Sequence, residues 1–201
     1  MRGSRHPKLV WNARLDAAVA CAGKIHKLQT RKGSTAPYVA HLLDAAAIAL
    51  KHGATEDEAI AALLHDTLEN GSHPERIRRE ILSRFGGPVL DLVEACTAQA
   101  SDQPKTDWLT RKKRYVRRIA AKTASEKFVS ACDKAANLGD MIEDYRRQGD
   151  TLWERYDASP VQVLGYYKAC ARELAKGRVS MKLDDVLDVM RERLKTLARL
   201  K

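Results

Sequence analysis

The sequence predicts an all-α protein, an orthogonal multi-helix bundle, and three observations lead there. Apolar residues recur at three- to four-residue spacing along most of the chain, and helix-start and helix-stop residues punctuate that pattern. No stretch alternates apolar and polar residues with the period of two that a half-buried strand needs, and there is no internal repeat.

Taken in order, Leu15, Val19, Ala22 and Ile25 mark an amphipathic helix over about 12–28. A polar loop, Arg31-Lys32-Gly33-Ser34-Thr35-Ala36, leads to Pro37, a residue suited to opening a helix, and the next helix is expected over 38–52 with Gly53 as its stop. Thr55 with Glu58 forms a capping-box pattern for a helix that continues through Leu63, Leu64 and Leu68 to Gly71. Ser72 with Glu75 repeats that pattern for a short helix ending near Phe85-Gly86-Gly87, and Pro88 starts another that reaches about Ala98. Residues 99–105 read as a polar loop and 107–120 as a strongly basic helix. The helix expected over 125–147 is apolar nearly all round its first half, so it belongs at the centre. A short irregular or helical piece follows Gly149, and 161–176 and 183–200 read as the last two helices. The chain therefore divides into a basic tail (1–11), one domain (12–176) and a loosely attached C-terminal helix (177–201).

Composition narrows the function classes. At 201 residues the chain can bury a core without disulfide or structural-metal staples, and 11 Gly and 6 Pro without a repetitive tract exclude collagen-like and low-complexity chains. Cys21, Cys96, Cys132 and Cys170 form no CxxC pair and read as buried thiols in a reducing compartment. No apolar run approaches the ~18 residues of a membrane span, and the N-terminus has charge but no apolar segment behind it, so the cytoplasm is the expected location. The 36 Lys+Arg against 26 Asp+Glu give a net charge of +10, which suits nucleic acid, a membrane surface or a polyphosphorylated small molecule.

The residues that point to chemistry are charged or metal-ligating groups inside apolar helices. His65-Asp66 interrupts Ala61-Ala62-Leu63-Leu64, His41 follows Tyr38-Val39-Ala40, and Asp133 follows Val129-Ser130-Ala131-Cys132. Burying such groups is expensive unless they are paired, and coordination to a cation satisfies them. Two imidazoles and two carboxylates suit Mn²⁺, Fe²⁺ or Zn²⁺ and leave positions open for water and a substrate oxygen.

The succession Arg31-Lys32…Pro37-Tyr38-x-x-His41, Ala61-Ala62-Leu63-Leu64-His65-Asp66-x-x-Glu69 and Asp133-Lys134-x-x-Asn137-Leu138 resembles the HD-domain metal phosphohydrolases. More narrowly, it resembles the hydrolase domain of the RelA/SpoT family and its stand-alone small alarmone hydrolases, over about residues 12–175. The resemblance implies His41, His65, Asp66 and Asp133 as metal ligands with Mn²⁺ the usual ion, Glu69 as the acidic residue that handles the water, and Arg31, Lys32 and Asn137 at the nucleotide pocket. The reaction implied is removal of the 3′-diphosphate of ppGpp and pppGpp, giving pyrophosphate with GDP or GTP. At position 70 this chain departs from the family's acidic pair: Asn70 can hydrogen-bond a water but cannot take its proton, which leaves Glu69 as the base beside it.

Phosphoryl chemistry also needs cations around the substrate. The run Arg111-Lys112-Lys113-Arg114-Tyr115-Val116-Arg117-Arg118 can supply them, with Arg111, Arg114, Tyr115 and Arg118 expected on one helical face. Tyr167 is a candidate to stack on a base, and His26, His52 and His73 read as surface or capping histidines. A highly charged nucleotide accounts for the net charge without nucleic acid as a partner; the oligomeric state stays open. Two other readings are kept: an HD phosphohydrolase for another nucleotide, such as an adenosine alarmone or a dinucleotide cofactor, and a catalytically weakened binding or antitoxin-like protein.

Overall fold

The computed structural model describes residues 9–99, 106–177 and 180–200; most of the expected N-terminal tail and most of the 99–105 loop lie outside them. Within the described residues the fold is all-α, as the periodicity requires, and the extended pairing is a single bridge between Thr30 and Pro37. In chain order the helices are α1 (Ala13–Ile25), α2 (Tyr38–Lys51), α3 (Glu56–Leu64), α4 (Thr67–Asn70), α5 (Pro74–Phe85) and α6 (Gly87–Cys96). They continue as α7 (Trp108–Ile119), α8 (Ala124–Gln148), α9 (Pro160–Leu174) and α10 (Met181–Leu200), with a 3-10 segment, Gly149–Arg155, after α8.

α8 is the central helix, as its apolar first half suggests. Phe128, Val129, Ala131, Cys132, Ala135, Leu138 and Met141 are all buried, and α2, α3, α6 and α10 pack around them. A capping box at its start, with Thr123 Oγ1 accepting from Glu126 N and Glu126 Oε2 accepting from Thr123 N, fixes where it begins. The four cysteines are buried and free.

Three expectations change. The helix expected to run unbroken from Thr55 to Gly71 ends at Leu64 and restarts as the single turn α4, so the His65-Asp66 doublet occupies a break. Local side chains cause it: His65 Nδ1 donates to Ala62 O at 2.8 Å and Thr67 Oγ1 donates to Leu64 O at 2.6 Å. These bonds compete for carbonyls that a continuous helix would offer to N–H groups four residues on. Secondly, Ser72 does not cap α5. The residue before the first turn is His73, at φ 60°, and Pro74 opens the helix. Thirdly, α10 is not loosely attached. Leu183, Val186, Leu187, Met190, Leu194 and Leu197 form a continuous apolar stripe that is buried, and the helix packs along α8. Lys182 adds an ion pair to Glu58, itself buried in α3, with its ammonium 4.7 Å over the Phe128 ring.

Gly71 closes α4 tightly. A Cβ there would lie 2.3 Å from Thr67 O and 2.5 Å from Ile77 Cδ1, so only glycine lets the chain turn here directly behind Asn70.

Candidate active site

Two helices and the break between two others bring the candidate metal-ligating groups to one point. His41 lies in the first turn of α2 on its buried side, the break between α3 and α4 supplies His65 and Asp66, and Asp133 comes from the middle of α8. His41 Nε2 stands 3.5 Å from Asp133 Oδ1 and 3.8 Å from Asp66 Oδ2; His65 Nε2 stands 3.4 Å from each of those oxygens. His41, His65 and Asp133 each bring a donor atom within 4.8 Å of the others. The imidazoles are 1% exposed and the Asp133 carboxylate 5%, while Asp66 keeps 18% and faces the opening.

Hydrogen bonds set the tautomers. His41 Nδ1 donates to Asp140 Oδ2 at 3.1 Å and His65 Nδ1 donates to Ala62 O at 2.8 Å, and both partners only accept. Each ring therefore turns the lone pair of Nε2 inward, and both Nε2 atoms are buried without a hydrogen bond. Burial opposes charge on His65, yet Asp66 and Asp133 push its pKa well above the usual imidazole range. Burial likewise opposes ionisation of Asp66 and Asp133, but His65 holds Asp66 low, and Lys134 and His65 hold Asp133 low. The cluster thus calls for positive charge at its centre, and its nitrogen and oxygen donors fit a divalent cation.

Above this floor opens a cavity of about 290 Å³. Asp66, Glu69, Asp133, Asp140 and Asp157 are its acidic lining, and Arg31, Lys32, Arg111, Lys112, Lys134 and Arg155 its basic lining. Lys134 pairs with Asp133 and lies 4.7 Å over the Tyr115 ring. Glu69 Oε2 accepts from Ala98 N at 3.0 Å, and burial raises its pKa although Lys112 opposes the rise. The Lys112 pKa is lowered by burial and by Lys134. Arg31 Nη2 donates to Asn137 Oδ1 at 2.9 Å and to Asp140 Oδ2 at 2.8 Å, tying the loop before α2 to α8.

The family model for the HD domain matches residues 18–153, a stretch that holds all of these ligating groups. The chain belongs to the HD domain family. Among solved structures, this HD domain protein is similar to a metazoan ortholog of SpoT, described as hydrolysing ppGpp and playing a role in starvation responses. The two are 25% identical with a TM-score of 0.72, over 92% of this chain and 98% of that one. A crystal structure of the Listeria monocytogenes EGD-e protein lmo0812, 22% identical with a TM-score of 0.63 over 77% of this chain and 99% of its own, shares the fold. No curated protein matches by sequence.

Of the residues expected at the site of this HD domain, His41, His65, Asp66 and Asp133 converge, and Glu69, Asn70, Arg31, Lys32, Arg111, Asn137 and Tyr167 line the cavity beside Asp66 and Asp133. Arg114 does not. On α7 the inward side is Lys112, Tyr115 and Ile119, with Tyr115 and Ile119 buried; Arg114 lies off that stripe and is exposed. Arg118 also points elsewhere, donating to Thr97 O at 3.2 Å. Tyr115 is a core residue and not part of a phosphate-binding face. His26 caps the C-terminus of α1 as expected but is buried, its ring stacked on Tyr38 at 4.8 Å.

Asp140 and Arg155 are not among the site residues that the sequence predicts, and Lys112 is predicted only as a member of the basic run, not as its inward-facing residue. Asp140 had a readable signal, since it follows Asp133 by seven residues and so shares its helical face. Lys112 would have followed from centring the apolar stripe of α7 on Tyr115 and Ile119. Arg155 had none: it sits in the 3-10 segment, aimed by Asp144 at 2.7 Å and by Lys32 O at 3.1 Å.

Proposed function

We propose that this HD domain protein is a metal-dependent phosphohydrolase that removes the 3′-diphosphate of ppGpp and pppGpp as pyrophosphate. The observation that carries the reading is the pair of buried imidazoles with inward lone pairs beside two carboxylates, at the floor of a cavity ringed by cations. A hydrolytic metal needs that floor, and a polyphosphate needs that ring. The likeness to a protein described as hydrolysing ppGpp supports the choice of nucleotide.

In this reading His41, His65, Asp66 and Asp133 would hold one divalent ion; the donors suit Mn²⁺, Fe²⁺ or Zn²⁺, and the resemblance to the RelA/SpoT hydrolase domain favours Mn²⁺. Such an ion would supply Lewis-acid polarisation of a phosphoryl oxygen and lower the pKa of a water toward neutrality. Glu69, on the cavity wall with its carboxylate fixed by Ala98 N–H, accepts the proton of the attacking water. The water adds to the 3′-linked phosphorus as its bond to the ribose 3′-oxygen breaks, that oxygen takes up a proton and leaves as GDP or GTP, and Lys112, Arg111, Lys32 and Arg155 hold the charge of the departing diphosphate. Arg31, Asn137 and the Tyr167 ring orient the nucleoside. No helix among the described residues is long and apolar enough to cross a membrane, and the buried free thiols agree with a cytoplasmic location.

Initial rates over a panel of ppGpp, pppGpp, adenosine analogues and dinucleotide cofactors, each with and without Mn²⁺, test the reading. The guanosine tetra- and pentaphosphates are expected to be the best substrates. Faster turnover of another nucleotide would move the substrate assignment, and binding without turnover of any would replace the enzyme by a binding protein.

A further inference from the structure

Asn70 and Tyr38 stand beside the candidate metal ligands, and their hydrogen bonds run in one direction. Tyr38 Oη donates to Asp66 Oδ2 at 2.5 Å, and Asn70 Nδ2 donates to Tyr38 Oη at 3.0 Å. The direction is forced by chemistry. An ionised carboxylate only accepts, so the single phenol proton goes to Asp66, and the phenol lone pairs are left for a group that donates. The amide of Asn70 is such a group; a carboxylate is not.

The phenol ring is itself held. The His26 ring stacks on it at 4.8 Å with 13° between the planes, and the Arg31 guanidinium sits 5.4 Å from its centroid. His26 Nδ1 is 2.7 Å from Gln29 Oε1, and Gln29 Nε2 donates to the backbone carbonyl of Asn70 at 2.8 Å. The circuit closes on Asn70, whose backbone is anchored by the same group of residues that its side chain reaches through Tyr38.

Asp66 is the ligand that needs such help. Asp133 is buried in the middle of α8 and is held by Lys134 and Asn137, whereas Asp66 occupies the break between two helices and is the most exposed of the four candidates. Resting on the metal-site reading above, we propose that Asn70 and Tyr38 form a positioning relay that aims the Asp66 carboxylate at the ion. The amide at position 70, donating to the phenol oxygen, keeps the phenol O–H directed at Asp66. Neither residue exchanges a proton with substrate.

The relay and a simple charge argument disagree in sign at one substitution. Asn70→Asp adds negative charge near a cation, which by Coulomb attraction alone tightens metal binding. In the relay it sets two acceptors against one phenol proton and turns Asp66 away, which loosens binding.

The experiment measures Mn²⁺ affinity of metal-stripped full-length protein by competition with a chelating dye, for wild type, Tyr38→Phe, Asn70→Asp and the double variant, with thermal melts of each to establish folding. Tyr38→Phe keeps the ring and its stacking, and Asn70 is exposed, so both variants retain the fold. Each single change is expected to weaken Mn²⁺ binding about 10–100-fold, the range for outer-shell partners of metal ligands. The double variant is expected to bind no more weakly than Tyr38→Phe alone, because the two residues act in series. Asn70→Asp binding as tightly as wild type or tighter, or effects that multiply in the double variant, would overturn the relay. Wild type that takes up no Mn²⁺ overturns the metal-site reading and the relay with it; wild type that binds while Tyr38→Phe binds equally well overturns the relay alone.

Discussion

Saturating the site with Mn²⁺ is expected to raise the melting temperature of the metal-stripped protein substantially, and Asp133→Asn is expected to abolish the rise. His41 is separated from His65 by 24 residues and Asp66 from Asp133 by 67, so the unfolded chain has no preformed site and the ion binds the folded state. At one hundred times its dissociation constant, a ligand specific for the folded state stabilises it by about 2.7 kcal/mol. In a chain of this size each kcal/mol moves the midpoint by about 2–4 °C, which gives a rise of about 5–11 °C. Asp133→Asn keeps the side-chain volume and an oxygen for Lys134 but removes a charged donor from the centre of the cluster. Its metal-free melt should fall as well, since Lys134 is 9% exposed and loses its charge partner. Differential scanning calorimetry with chelator, then with excess Mn²⁺, reads both quantities. A wild-type rise below about 2 °C, or the same rise in Asp133→Asn, would refute the reasoning.

Three further outcomes are expected. Glu69→Gln should lower kcat by at least about 10²-fold, as for loss of a general base. Because burial raises the Glu69 pKa against the pull of Lys112 and the carboxylate form is the active one, kcat/KM of wild type should fall with acid at a pH above the ordinary glutamate range, and the pH–rate profile of Glu69→Gln should lack that limb. Lys112→Ala should raise KM for ppGpp with metal content unchanged, whereas Arg114→Ala should leave KM within about twofold of wild type in steady-state kinetics. Leu187→Ala, in the stripe that α10 buries on α8, should cost about 2–5 kcal/mol in denaturant unfolding, a loss that a detached helix would not produce.

The helices were legible because burial imposes a period on the sequence, and the candidate metal cluster because His and Asp inside apolar helices contradict that period. His41, His65 and Asp133 stand out for this reason. What escaped was decided by tertiary geometry. The break at His65-Asp66 follows from side-chain bonds to Ala62 O and Leu64 O, which no propensity signals. The inward face of α7 is not legible in the sequence, because a helix with six cations in eight residues offers several basic faces and only the packing of Tyr115 and Ile119 selects among them. Arg155 reaches the cavity from a segment with no periodicity at all. The apolar stripe of α10 is present in the sequence, but a stripe alone does not say which helix covers it, and its packing along α8 is a tertiary fact.

Release of pyrophosphate from ppGpp tests most directly whether this cluster and cavity together hydrolyse a guanosine 3′-diphosphate. Metal-stripped protein should be inactive, added Mn²⁺ should restore release of pyrophosphate and GDP in equal amounts, and His65→Ala should stay inactive at every Mn²⁺ concentration. Wild type that binds Mn²⁺ in one-to-one stoichiometry yet releases no pyrophosphate from ppGpp would contradict the account.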